Sequence, residues 1–169
     1  MSQKAVFLDR DGTLNVDVHY LHKIEDLIWT PEAKEALAFL CRKGYKLFVI
    51  TNQSGIARGY YTIAQMEKLH EHMNQELAQL GAHIEKFYYC PHHKSEGVLP
   101  EYIKDCDCRK PKPGMLLQAF AEYDLDKAAS LMIGDSQKDV EAAEAAGIPG
   151  YLYQGGSLLE FVQQLLADK

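Results

Sequence analysis

The 169-residue chain lacks most of the features that mark membrane, secreted or nucleic-acid-binding proteins. Its purely apolar runs extend only a few residues, whereas a membrane-spanning helix needs about 20, so no membrane partner is expected. The stretch before Asp9 has one lysine and a short apolar run, which is not the build of a secretory leader. Excess positive charge is missing as well. With 18 Lys and Arg against 24 Asp and Glu the net charge is −6, which disfavours a nucleic-acid or anionic-membrane binder. Cysteine is sparse: Cys41, Cys90, Cys106 and Cys108. Cys41 sits alone in an apolar helical stretch and reads as a core thiol. The other three cluster with histidines and are an odd number for a disulfide framework, which suits a metal in a reducing compartment, the cytoplasm. No repeat, low-complexity tract or linker breaks the chain. Composition is ordinary for a globular protein, 47% hydrophobic and 25% charged, and the length suits one domain over residues 1–169, a monomer by default.

What is present is an alternation of two periods. Ala5–Leu8, Lys46–Ile50, Ile84–Tyr89, Ser130–Ile133 and Gly150–Tyr153 read as strands, several of them the near-continuous apolar runs of parallel strands covered on both faces. Between them, Thr30-Pro31-Glu32 reads as a helix start closed by Gly44, and Thr62 with Gln65 as a capping box. Ile63, Met66, Leu69, Met73, Leu77 and Leu80 then recur at helical spacing up to Gly81, the stripe of a core face. Asp139–Ala146 reads as a helix ended by Gly147, and Ser157 with Glu160 opens the last one. The expected class is α/β, a doubly wound and mainly parallel sheet.

Such sheets bind ligands beyond the carboxyl ends of their strands. There the sequence places Asp9-Arg10-Asp11-Gly12-Thr13, then Thr51-Asn52-Gln53-Ser54-Gly55, then Gly134-Asp135 with Asp139 downstream. Asp9, Asp11 and Asp135 converging in one crevice would repel unless a cation sat among them, and an oxygen-only, partly open donor set suits Mg²⁺. One aspartate can then attack phosphorus while the other moves the protons. Thr51, the amides beyond it and a lysine from Arg109-Lys110-Pro111-Lys112 would neutralise the phosphoryl oxygens. Taken singly, these are an acidic turn, a loop, a helix cap and a solvated basic run. Their joint occurrence at successive strand ends is what points to a phosphatase.

Those motifs resemble the haloacid dehalogenase (HAD) superfamily. The resemblance implies that Asp9 is the nucleophile and Asp11 the general acid/base. It implies that Thr51 and Lys110 hold the phosphoryl group, and that Asp9, the backbone carbonyl of Asp11, and Asp135 hold Mg²⁺. Asp139 is left between a supporting role and that of an exposed helical acid. More narrowly, Phe7–Thr13, Thr51–Gly59, Tyr89–His93 and Cys106–Lys110 resemble the D-glycero-D-manno-heptose 1,7-bisphosphate 7-phosphatases and their histidinol-phosphate phosphatase relatives, over nearly the whole chain. That match implies a substrate pocket lined by Asp17, Val18, His19, Tyr20, Asn52, Gln53, Ser54 and Arg109. Ser136 departs from it, standing where the heptose enzymes carry lysine.

Cys90-Pro91-His92 and Cys106-Asp107-Cys108 flank the thirteen residues 93–105. Three thiolates and an imidazole make a closed tetrahedral site, typical of structural Zn²⁺. His93 is an alternative fourth donor, and the resemblance implies His92. The spacing between motifs leaves no room for a separate cap domain. The expected function is Mg²⁺-dependent hydrolysis of a small phosphorylated sugar, heptose 1,7-bisphosphate at C7. The enzyme alternative by the same resemblance is a histidinol-phosphate phosphatase, a group whose zinc loops tend to be shorter than the stretch here. A zinc-loop binding protein without catalysis is the alternative from another class.

Overall fold

The computed structural model describes residues 2–167. Five strands, β1 (Ala5–Leu8), β2 (Lys46–Asn52), β3 (Ile84–Cys90), β4 (Leu131–Gly134) and β5 (Gly150–Leu152), form one sheet in the order β3-β2-β1-β4-β5. Every pairing is parallel, so the expected class holds, with nothing antiparallel in it. β1 lies at the centre, and all four of its residues are buried because helices cover both faces. Alternation along the strands divides the core in two. Val6, Leu8, Leu47, Val49 and Ile133 face a layer built from α1 (Ala33–Arg42), α2 (Ile63–Ala78) and α5 (Leu158–Ala167). Ala5, Phe7, Phe48, Ile50 and Met132 face α3 (Gly114–Glu122) and α4 (Gln137–Ala145). Between β1 and β2 there is one short 3-10 turn and one helix, so among the described residues no separate cap intervenes.

Several boundaries differ from the sequence reading for local reasons. The helix expected from Thr30 begins at Ala33 instead. Glu32 is its N-cap, in left-handed backbone (φ 54°), while the Thr30 hydroxyl donates to the Thr13 carbonyl at 2.7 Å and ties α1 to the loop after β1. The helix expected from Asp139 begins at Gln137, because Ser136 and Asp139 form a capping box. α3 carried no N-cap signal and follows directly on Pro113. The Thr62/Gln65 box and the Met66, Leu69, Met73, Leu77 stripe of α2 are as read.

Candidate active site

β1 ends at Leu8, and the Asp9 amide still donates to the Ile133 carbonyl of β4 at 3.1 Å, so Asp9 leaves the sheet between its two central strands. The residue is 8% exposed, and its carboxylate accepts from Lys110 Nζ at 2.7 Å. The same ammonium donates to Asp139 Oδ1 at 2.6 Å and to the Ile50 carbonyl at 2.9 Å, which uses all three of its donors. Burial pushes the Asp9 carboxyl well above its usual range. Lys110 pulls it back, and the like charge of Asp139 and the nearby Asp135 push it further up. Burial works against the Lys110 charge in turn, but Asp9 and Asp139 together outweigh it and hold the ammonium more basic than usual.

Asp135 follows β4 directly and is exposed to the crevice. It packs so tightly on Gly12 that a Cβ there would collide with the carboxylate, and Gly12 also has φ +88°, so both sterics and backbone require glycine. Oxygens of Asp9, Asp135 and Asp139 all lie within 4.8 Å of one another. Asp139 has both of its oxygens engaged: Oδ1 by Lys110, and Oδ2 by the Ser136 amide and hydroxyl, each at 3.2 Å. The oxygens that remain open to a cation therefore belong to Asp9 and Asp135. This oxygen-only set, partly open and with three carboxylates to one lysine, fits Mg²⁺.

Asp11 sits at the mouth of the same crevice under a canopy of donors. Arg10 Nε and Nη2 reach its Oδ1 at 3.1 and 3.0 Å, and Asn15 Nδ2 reaches that oxygen at 3.0 Å. Gln53 Nε2 donates to Oδ2 at 3.1 Å and to the Thr51 hydroxyl at 2.8 Å. The Tyr61 hydroxyl donates to Gln53 Oε1, which fixes the amide with its NH₂ toward Asp11 and Thr51. Thr51 lies inside β2 rather than beyond it, buried at 1% exposure. Asn52 clamps the neighbouring loop. Its Oδ1 accepts from the Lys110 amide at 3.0 Å, and its Nδ2 donates to the Lys110 carbonyl at 3.3 Å.

The crevice encloses about 360 Å³ and is lined by Asp17, His19, Tyr20, Asn52, Gln53 and Ser54 of the expected pocket. Asp17 accepts from the His19 amide at 2.9 Å, holding His19 and Tyr20 in left-handed backbone (φ 59° and 65°). Two expected members are not among the lining residues. Val18 is 40% exposed and borders an adjoining hollow instead. Arg109 Nη1 donates to the His92 carbonyl at 3.3 Å, which ties its guanidinium to the cysteine loop. Ser136 and Lys138 line the crevice too.

Cys90, at the end of β3, meets Cys106 and Cys108 at Sγ–Sγ distances of 3.4 and 2.9 Å, and Cys106 and Cys108 stand 3.2 Å apart. His92 Nδ1 lies 3.7 Å from Cys90 Sγ and 3.4 Å from Cys108 Sγ. No disulfide joins them, and the four ligand atoms form the other compact cluster of metal-binding type among the described residues. A tetrahedral ion with Zn–S near 2.3 Å sets ligand separations of about 3.8 Å, and the separations here, 2.9–3.7 Å, are somewhat shorter than that, so the ligands would spread slightly around an ion. The contact between Cys90 and Cys108 splits the two thiols: it pulls Cys108 down, with Cys106 and His92 assisting against burial, and pushes Cys90 up together with burial. His93 Nδ1 instead accepts from the Ser95 and Glu96 amides at 3.2 and 2.9 Å.

Three parts of this arrangement escaped the sequence reading. Asp139 is a buried partner of Lys110, and the Ser136-x-x-Asp139 capping pattern is the signal that could have placed it. Gln53 lines the crevice and is also a buried bridge between Asp11, Thr51 and Tyr61. The Arg10 contact to His70 spans 60 positions and leaves no mark in local sequence.

Comparison with known proteins identifies relatives of the chain. Residues 107–160 match the family described as HAD-hydrolase-like. The chain is 45% identical over 97% of its length to the D-glycero-beta-D-manno-heptose-1,7-bisphosphate 7-phosphatase of Rhodopseudomonas palustris, covering 91% of that protein. It is 51% identical over 86% of its length to the protein of the same name from Pasteurella multocida, covering 78% of it. Among solved structures, the D,D-heptose 1,7-bisphosphate phosphatase of B. bronchiseptica, complexed with magnesium and phosphate, superposes with a TM-score of 0.85 at 32% identity, over 98% of this chain and 99% of that one.

Proposed function

The chain belongs to the D-glycero-D-manno-heptose-1,7-bisphosphate 7-phosphatase family of HAD-like hydrolases, and on that premise we propose that it removes the C7 phosphate of heptose 1,7-bisphosphate. The observation that carries the chemistry is the buried Asp9–Lys110–Asp139 chain beside Asp135, with Asp11 and Thr51 across the same crevice. A Mg²⁺ ion held by Asp9, Asp135 and the Asp11 carbonyl would neutralise the phosphoryl oxygens and overcome their repulsion of an anionic nucleophile. An Asp9 oxygen attacks phosphorus, the bond to the sugar oxygen breaks, and Asp11 gives its proton to that oxygen. Asp11 then takes a proton from water, whose oxygen attacks the aspartyl-phosphate, releasing phosphate and restoring the Asp9 carboxylate. Lys110 and Thr51 hold the phosphoryl oxygens throughout.

Asp17, His19, Tyr20 and Ser54 are the residues assigned to the sugar. Lys138 lines the crevice and forms no ion pair among the described residues, which supports assigning it to the second phosphate. The Cys90, His92, Cys106, Cys108 cluster is assigned a structural Zn²⁺. The whole chain is read as one HAD-like domain acting as a cytoplasmic monomer, and no helix of the described residues is long and apolar enough to cross a membrane. The test is kcat/KM with Mg²⁺ for heptose 1,7-bisphosphate against histidinol phosphate, with Asp9→Asn as the blank. A preference of about 100-fold for the heptose, roughly 2.7 kcal/mol, is expected, and the reverse preference would overturn the substrate assignment.

A further inference from the structure

Behind the crevice, Arg10 is fully buried, an unusual position for a guanidinium, and its donors are spent on three kinds of partner. Nε and Nη2 hold the Asp11 carboxylate, and Nη2 also reaches the Leu21 carbonyl at 3.0 Å. Nη1 lies 3.1 Å from Nε2 of His70, a residue of α2 only 5% exposed. A guanidinium has no lone pair to offer, so the imidazole must be the acceptor, neutral and with its proton on Nδ1. The His70 ring is fixed in turn by stacking on Phe87 of β3, with centroids 4.0 Å apart and planes 9° from parallel. Burial first, and the Arg10 charge second, hold this imidazole below its usual pKa, consistent with the neutral form.

We propose that His70 is a positioning residue for proton transfer: as a neutral acceptor it fixes the Arg10 guanidinium, which fixes the Asp11 carboxylate at the reacting oxygens. Without the acceptor, a buried N–H of Arg10 loses its partner, and a guanidinium that turns to recover one turns away from Asp11. Misplacement on that scale lowers proton transfer without touching the nucleophile. The inference rests on the phosphatase reading and assigns that site a residue far from it in sequence.

The two steps separate experimentally with p-nitrophenyl phosphate, whose leaving group departs as a stable anion and needs no proton from Asp11. Attack of water on the aspartyl-phosphate still needs Asp11 as base. His70→Leu is therefore expected to release close to one equivalent of p-nitrophenolate per site in a pre-steady-state burst and then to turn over at least tenfold more slowly than wild type. His70→Gln, whose amide oxygen can accept from Nη1, should restore turnover to within about twofold. In an Arg10→Gln background, His70→Leu should have no further effect on turnover, because both act through one contact. A burst and steady state reduced in equal proportion in His70→Leu would mean fewer folded sites and would overturn the proposal. So would unchanged turnover, or failure of His70→Gln to rescue a variant that melts like wild type. No Mg²⁺-dependent turnover in the wild type would instead overturn the phosphatase reading and the inference with it.

Discussion

At the scale of single residues, the site is a problem of buried charge solved by pairing. Lys110 is 4% exposed and Asp139 1%, and removing one partner strands the other in a low-dielectric setting. Asp139→Asn keeps the shape of the capping box but removes half of the counter-charge of Lys110. Its expected effect is a fall in kcat of about 10- to 100-fold with a stability loss of about 1–3 kcal/mol, read from steady-state kinetics and urea unfolding. Wild-type kcat would show that Asp9 alone positions the ammonium. His70 predicts a pH effect of opposite origin. Its folded pKa lies well below 6.5, so at pH values above about 6.5 both folded and unfolded chains are neutral there. As the pH falls below that value the unfolded chain takes up a proton that the folded chain refuses, and stability declines by up to about 1.4 kcal/mol per pH unit. Between pH 7 and 5, His70→Leu should therefore lose less stability than wild type, measured by denaturant midpoints. Parallel curves would contradict the buried neutral imidazole.

At the scale of elements, the strands and the α2 stripe were legible because burial on both faces writes continuous apolar runs and a helical period directly into sequence. The Thr62/Gln65 box was legible for the same local reason. The start of α1 was not, because the Thr30 hydroxyl is drawn to Thr13 and Leu14 by tertiary packing and Glu32 takes the cap. Nor was the start of α4, where Ser136 caps the helix in a box with Asp139, whose other oxygen serves Lys110 of a distant loop. The cysteine loop shows how one element supports another. Cys108 is followed directly by Arg109 and Lys110, and Asn52 at the end of β2 grips the Lys110 backbone from the other side. Holding Cys108 therefore holds the lysine. Cys108→Ser is expected to bind less than one zinc per chain by elemental analysis, to melt several degrees lower, and to lose turnover. Full activity in a zinc-free variant would detach the loop from the site.

At the scale of the whole molecule, strand order fixes where chemistry can occur. The chain runs outward from β1 to β2 and β3, then returns to the other side for β4 and β5, so the crevice opens where the order reverses. Asp9 and Asp135 leave the two strands that flank that point, and Thr51 comes from the strand on the other side of β1. That much of the site was readable in sequence, since it follows from motifs at successive strand ends. The canopy over Asp11 was not, because Arg10, Gln53, Tyr61 and His70 meet only after the sheet and α2 have packed. The central claim is that Asp9 becomes phosphorylated, and borohydride trapping tests it most directly. Enzyme quenched during turnover with Mg²⁺ and substrate, reduced and digested, should yield a peptide in which residue 9 alone has its carboxyl converted to an alcohol, by mass spectrometry. The same treatment without substrate should leave it unchanged. Reduction at another residue, or at none during active turnover, would contradict the account.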